Sequence, residues 1–430
     1  MAAQFDSAPA ETYVPANQVL MYTIKSSVTL TASDRFIVQV YKNLLEVAKL
    51  YLTPNPSGRA FFDLSTIVKE MVEVDVLVSS GLGTVFESTN KVNVSTSATD
   101  KFQVKIGSFN GTSETTAEAT KLIYLVQGTE QISDGLHPSF ANYYPTSYAV
   151  APTRGYLTEM WGNWQDTKIK WNFATEDEGS IAWIHDDLII SGVDTHISYQ
   201  LYNSSGALGS AETVAISTSG GNALSSTAWS EKVHYTGLAP ASLSWTTLPS
   251  ANPDWTGYNI WLNDNSTLRG GKYIYVERDY GICKNNRVQI AFANRVGGWD
   301  YLNFDGRPSK NETTEKKPYL TAIGDFNGLT YSFDPTARTS KPYHVTAKTN
   351  YKLNSINWDK QTYQLLEGLL RSSNIMMRIQ DSSSEASYLP DRNKWLPVLL
   401  NTKSLSIKDF DSSEVVNVSI DVELAQDIRC

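Results

Sequence analysis

Val288-Gln289-Ile290-Ala291-Phe292-Ala293-Asn294-Arg295-Val296-Gly297-Gly298-Trp299-Asp300-Tyr301-Leu302-Asn303-Phe304-Asp305-Gly306 is the stretch that decides how this chain folds. Val288, Ile290 and Phe292 alternate with Gln289, Ala291 and Ala293, so one face of a first strand is apolar. Asn294 to Gly298 supplies turn residues, and Trp299, Tyr301 and Phe304 begin a return strand. The stretch reads as a hairpin made to be buried against a larger all-β body, and nothing in it has the look of catalysis.

Working outward, 430 residues exceed what one core usually holds, and two to four domains are expected. The 23 Tyr, 11 Trp and 14 Phe, set among abundant Ser, Thr and Asn, suit strands joined by polar turns. With 36 basic against 45 acidic residues the formal charge is -9, and no basic run is present, which argues against nucleic acid as the main partner. Cys283 and Cys430 are the only cysteines, so no disulfide framework is expected, although a single bridge between them stays open. The N-terminus lacks the basic start and apolar stretch of a secretory signal, and no run of about 18 apolar residues could span a bilayer. Synthesis in a cytoplasm and no membrane insertion are the expectations. Six Asn-x-Ser/Thr sequons carry little weight in a chain so rich in Ser, Thr and Asn.

The expected fold class is mainly β, with tandem Ig-like β-sandwich domains followed by a β-rich C-terminal domain holding one helix. Residues 1–128 form the first sandwich, with strands at Val19–Ile24, Ser27–Thr31, Phe36–Tyr41, Gln103–Ile106 and Leu122–Val126. A short helix over Leu64–Val72, capped by Asp63, interrupts them. Residues 129–153, with Gly135, Pro138, Pro145 and Pro152, read as a connector. Residues 154–279 form a middle sandwich of seven or eight short strands. In the last domain, 280–430, Asn357 opens a helix that carries Leu365, Leu366, Leu369 and Leu370 on one side. A long closing strand alternates Val416, Val418, Ile420, Val422 and Leu424 with polar residues.

Candidate chemistry is sparse. His137, His185, His196, His234 and His344 are scattered without ligand spacing. His185-Asp186-Asp187 and Glu176-Asp177-Glu178-Gly179 read as turns, and Asp409-Phe410-Asp411-Ser412-Ser413-Glu414 lacks the full calcium-loop pattern. No metal, no cofactor and no catalytic residue is assigned. Paired carboxylates could serve a glycosidase, but spacing in sequence cannot show which of them face each other. A nucleophile elbow and a phosphate loop are both missing, and Cys283 has no activating context, so the chain is not expected to be an enzyme. Aromatic clusters are the remaining candidates. Trp171, Trp183 and Trp299 belong to core patterns, whereas Trp161, Trp164, Trp255 and Trp261 are the candidate binding residues, for a protein interface or a glycan.

Three segments carry a resemblance: Ala60-Phe61-Phe62-Asp63-Leu64-Ser65-Thr66-Ile67, the aromatic hairpin, and the last 85 residues, with the helix at Trp358–Leu370, then Leu396-Pro397-Val398-Leu399-Leu400, then the closing strand. In these the chain resembles multidomain structural proteins of tailed bacteriophages, of the tail-tip, baseplate and fibre-attachment kind. The resemblance implies a virion component made in the bacterial host cytoplasm, present in many copies, whose partners are other copies of itself and other virion proteins, and it carries no catalytic residue. A head–tail connector or a capsid decoration would use similar domains. The rival from another class is a glycan-binding or glycan-cleaving adhesin, with the middle domain as recognition module and a host-surface glycan as partner. A secreted bacterial adhesin is a third.

Overall fold

The computed structural model describes residues 3–9, 13–73, 92–95, 97–128, 155–160, 168–185, 196–215, 232–264, 267–268, 273–280, 287–321, 324–326, 328–332, 336, 340–380, 394–402, 415–425 and 428–429. Over these the chain is mainly β, with one helix of more than a single turn, as expected. No helix among the described residues is long and apolar enough to cross a membrane. The chain divides into two compact units: Met1–Gly281 with Ala291–Tyr301 and Gln364–Ser373, and Ile282–Ile290 with Leu302–Tyr363 and Asn374–Cys430.

The first unit begins as a sandwich. A three-stranded sheet, in the order Ala3–Ser7, Met21–Ser26, Arg59–Asp63, faces a five-stranded one, in the order Tyr13–Pro15, Glu114–Val126, Thr99–Phe109, Arg35–Lys42, Leu45–Leu52. Alternation explains the core between them: Tyr22 and Ile24 from one sheet meet Phe36, Val38, Val40, Phe102, Val104 and Ile106 from the other, all fully buried. Tyr22 stacks on Phe62 at 4.9 Å. Two local expectations fail. Ser27–Thr31 is a loop, closed when the Thr31 N–H donates to Asp34 Oδ2 at 2.6 Å. The helix spans only Ser65–Val68; Asp63 Oδ1 accepts the Ser65 N–H at 3.0 Å and the Leu20 N–H at 2.8 Å, tying the start of the helix to the sheet. The strand Leu45–Leu52, largely solvent-facing, was not expected.

Further sheets follow in the same unit. One runs Lys168–Phe173, Tyr273–Arg278, Trp255–Asp264, His196–Asn203, Gly206–Ala207, with Glu212–Ala215 and Thr267–Leu268 added at its margins. Its outer pair, Lys168–Phe173 with Tyr273–Arg278, is parallel. The other runs Ser180–His185, Lys232–Gly237, Val92–Val94. Its third strand comes from the N-terminal part of the chain, with Asn93 opposite Tyr235, so residues 1–128 and 154–279 share a sheet. The two groups fall into one compact unit; the connector at 129–153 lies outside the described residues.

A further sheet runs in the order Trp299–Phe304, Val288–Ala293, Ile375–Ile379, Leu396–Leu400, Ser419–Leu424, Ser340–Asn354, Ser309–Leu320, with Ile428–Arg429 also pairing Ser340–Asn354. The decisive hairpin is buried on both faces, since Gln289 and Ala291 are as inaccessible as Val288, Ile290 and Phe292. The helix spans Lys360–Arg371. Its cap is Asp359, whose Oδ1 accepts the Thr362 N–H at 2.8 Å; Asn357 instead sits in the left-handed region at φ 55°. Leu365, Leu366 and Leu369 are fully buried. Gly368 lets the helix approach the hairpin, as a Cβ there would lie 2.9 Å from Phe292 Cε2.

Candidate assembly interface

The hairpin turn gathers the most buried polar groups. Asn294 closes it: the Asn294 N–H donates to Gly298 O at 2.9 Å, while Asn294 Oδ1 accepts the N–H groups of Val296 at 3.1 Å and Gly298 at 2.9 Å. Its Nδ2 donates to Leu157 O at 2.9 Å and to Asp300 Oδ2 at 3.1 Å. Asp300 also accepts the Glu159 N–H at 2.8 Å on Oδ2 and the Thr158 hydroxyl on Oδ1. Glu159 in turn accepts the Arg295 N–H at 2.9 Å. Glycine is required where the turn meets its neighbours: at Gly297, with φ 91°, a Cβ would lie 1.9 Å from Gln127 O, and at Gly298 one would lie 2.0 Å from Leu157 O.

Burial, reinforced by the nearby Glu159 charge, pushes the Asp300 carboxyl up to about 7, and the three hydrogen bonds it accepts only partly offset this. A raised acid commonly marks a catalytic site. Here Asp300 and Thr158 are fully inaccessible, and the carboxyl's three hydrogen-bond donors all come from the chain itself. The group is a structural joint. Tyr301 behaves alike: its hydroxyl accepts the Ser180 N–H at 3.0 Å while its ring packs edge-on to Trp171 and Phe173.

The accessible feature is an arm in the second unit. Strands Ser309–Leu320 and Ser340–Asn354 pair antiparallel along twelve residue pairs, from Ser309 opposite Lys352 to Leu320 opposite Ser340. At about 3.4 Å per residue this ribbon is roughly 40 Å long. Every residue of Ser309–Leu320 is exposed, on both faces, and the strand is the last in its sheet. Beyond Thr346 the second strand also loses its other neighbour, because Ser419–Leu424 pairs only Asn350–Asn354 and Ile428–Arg429 only Thr346 and Ala347. Among the described residues the distal part is therefore a two-stranded ribbon without a third strand, an arrangement that is marginal in water unless something covers it.

Chemistry changes along the arm. At its base the Lys348 ammonium sits 2.8 Å from Glu423 Oε1, which with Asn401 holds the Glu423 carboxyl below its ordinary range. Lys310 bonds Glu312 at 2.6 Å, which raises the Lys310 ammonium. Near the tip Lys316, Lys317 and Lys341 are exposed, and no carboxylate among the described residues pairs with them. Tyr319 and Tyr343 meet there edge-on at 6.3 Å, with Leu320, Leu329 and Tyr331 also exposed. A small hairpin, Asp325–Phe326 with Tyr331–Ser332, caps the end. Together the ribbon's two strands hold six lysines and two glutamates, a net charge of +4 on a chain of -9.

The tryptophans singled out as binding residues are not brought together. Trp255 is fully buried, with the Arg278 guanidinium 5.4 Å from its ring centre and Tyr258 at 5.7 Å, because it opens a central strand; this corrects its reading as an available ring. Trp261 is half-buried against Tyr273 at 5.6 Å. Trp161 and Trp164 lie outside the described residues, as do Asp186, Asp187, Asp409, Asp411, Cys283 and Cys430. Trp171, Trp183 and Trp299 are core residues, as expected. Asp177 is buried and its Oδ2 accepts the Ala174 N–H at 2.7 Å, closing a turn over Ala174–Asp177 that overlaps the expected one at Glu176–Gly179. Among the described residues no group of three His, Cys, Asp or Glu could hold a metal ion. No protein-family model and no curated protein matches this chain.

Proposed function

We propose that this chain is a structural component of a tailed-phage virion, in the tail tip, baseplate or fibre-attachment region, and that it works by multicopy assembly through protein–protein contacts. The observation that supports this best is the arm, a ribbon some forty ångströms long whose outer strand is exposed on both faces and along its edge. A free edge of that length can pair with another chain, and Pro318 with the bulge beside it interrupts the ladder only near the tip. The aromatic tip adds the residue types that anchor interfaces. The sequence resemblance at both ends of the chain supplies the phage context.

Mass spectrometry of purified phage particles, with electron microscopy after labelling this chain, tests the proposal. The chain is expected at a fixed copy number at one position in the particle. Particles that lack it would overturn the reading.

A further inference from the structure

The charge of this chain is unevenly divided. Residues 129–279 hold sixteen acidic and seven basic side chains, a net charge of -9, which equals the charge of the whole protein. The arm has the opposite sign. Within that acidic region the described residues place several carboxylates at one end of the seven-stranded sheet. Phe173 lies opposite Arg278, and the Asp279 N–H donates to Phe173 O at 2.9 Å, which brings the ends of two strands together. Arg278 reaches back to Trp255 O at 3.2 Å, bringing Asp254 to the same end, and the turn at Ala174–Asp177, which carries Glu176, follows Phe173 directly. Glu176 and Asp254 are exposed there, Glu178 and Asp279 half-exposed, and Tyr280 is 72% exposed. The Arg278 guanidinium is held between the Trp255 and Tyr280 rings, at 5.4 and 4.9 Å.

We propose that the arm of one copy docks, through Lys316, Lys317, Lys341 and the tyrosines beside them, on the acidic end of the seven-stranded sheet of a second copy, at Glu176, Asp254 and Tyr280. The inference rests on the multicopy reading above and names the partner surface. Charge complementarity selects the acceptor: a lysine- and tyrosine-bearing ribbon with a net charge of +4 over its two strands is repelled by another basic arm and attracted to a carboxylate-rich surface that also offers a ring. Because arm and acceptor are different patches, each contact runs head-to-tail: exchanged reciprocally it closes a two-fold dimer, and repeated around an axis it closes a ring or extends a filament.

Sedimentation of the full chain and of two charge-reversed forms tests this. In K316E/K317E/K341E and in E176K/D254K self-association should weaken about tenfold or more, since each now sets like charges against each other. Mixing the two forms should restore association to near the wild-type level, because each reversed patch then meets its opposite; circular dichroism confirms that both are folded. Wild-type association should also weaken when ionic strength rises from about 0.1 to about 1 M, where the Debye length drops from about 10 to about 3 Å. Reversed forms that associate like the wild type, or a mixture that does not recover, would overturn the docking and leave the virion role standing. A wild-type chain that stays monomeric overturns the docking too, while the particle content decides the virion role separately.

Discussion

Asp300→Asn should make this protein more stable at pH 8 than the wild type, although the side chain is fully buried and holds three hydrogen bonds. The folded carboxyl is pushed up to about 7 from 3.8, so between those values the folded state binds a proton that the unfolded chain has released. Stability from this group is fully present below about pH 4 and is lost as pH rises through about 7. A shift of that size corresponds to roughly 4 kcal/mol at about 1.4 kcal/mol per unit. The amide reproduces the protonated acid: its oxygen takes the position that accepts the Glu159 N–H and Asn294 Nδ2, and its Nδ2 faces Thr158 Oγ1, which can accept. Reorienting the Thr158 hydroxyl costs about 1 kcal/mol, so the net gain at pH 8 is about 2–3 kcal/mol, shrinking to nothing or reversing near pH 4. Urea unfolding of both proteins at pH 4 to 8 isolates the contribution of this carboxyl, because every other titrating group is common to the pair. A difference that stays constant across this range, or a variant destabilised by more than about 2 kcal/mol at pH 8, would refute the reasoning.

Four further variants test the same joint. Gly298→Ala places a methyl 2.0 Å from Leu157 O, a backbone atom, and should cost about 3 kcal/mol or more, read as a large fall in melting temperature or in soluble yield. Asn294→Ala strands the buried Val296 and Gly298 N–H groups and should cost about 2–4 kcal/mol by urea unfolding; Asn294→Asp should cost more at pH 8 than at pH 5, since it sets a second carboxylate beside Asp300. Glu159→Gln keeps an oxygen for the Arg295 N–H but removes the charge facing Asp300, so the pH at which stability falls should move to a lower value.

The hairpin was legible because both of its signals are local: alternation of Val288, Ile290 and Phe292, and turn chemistry at Asn294–Gly298. What the sequence hid was what lies opposite. That Gln289 is buried as deeply as Ile290, that Gly297 and Gly298 face Gln127 and Leu157, and that Asp300 meets Thr158 and Glu159 are contacts across more than a hundred residues. Trp255 misled for the same reason, because a polar stretch before it gives no hint that its strand will be central. The sharing of Val92–Val94 with a later sheet is likewise invisible to a reading that expects each strand to pair within its own segment.

Of the arm, Lys341–Tyr351 reads as a strand from the sequence and is one, within Ser340–Asn354, whereas its partner Ser309–Leu320 was missed for a different physical reason. Strand recognition depends on one face being apolar, and Ser309-Lys310-Asn311-Glu312-Thr313-Thr314-Glu315-Lys316-Lys317 has no such face. Its pairing is held by the ladder to Ser340–Asn354, whose own base is anchored by fully buried Leu353 and nearly buried Thr349. A strand with that composition gains little from burial in its own chain, so its β conformation is carried by the partner strand and by whatever covers it. A basic ribbon with an aromatic end is therefore a poor core element and a good reader of an acidic surface. If the acceptor is the carboxylate-rich end of a second copy, docking should order the distal ribbon, and hydrogen exchange at Lys316–Leu320 should slow with chain concentration while exchange in the hairpin Val288–Phe304 stays unchanged. Protection of Lys316–Leu320 that is independent of concentration would place its cover within the same molecule and remove the physical ground for the head-to-tail contact.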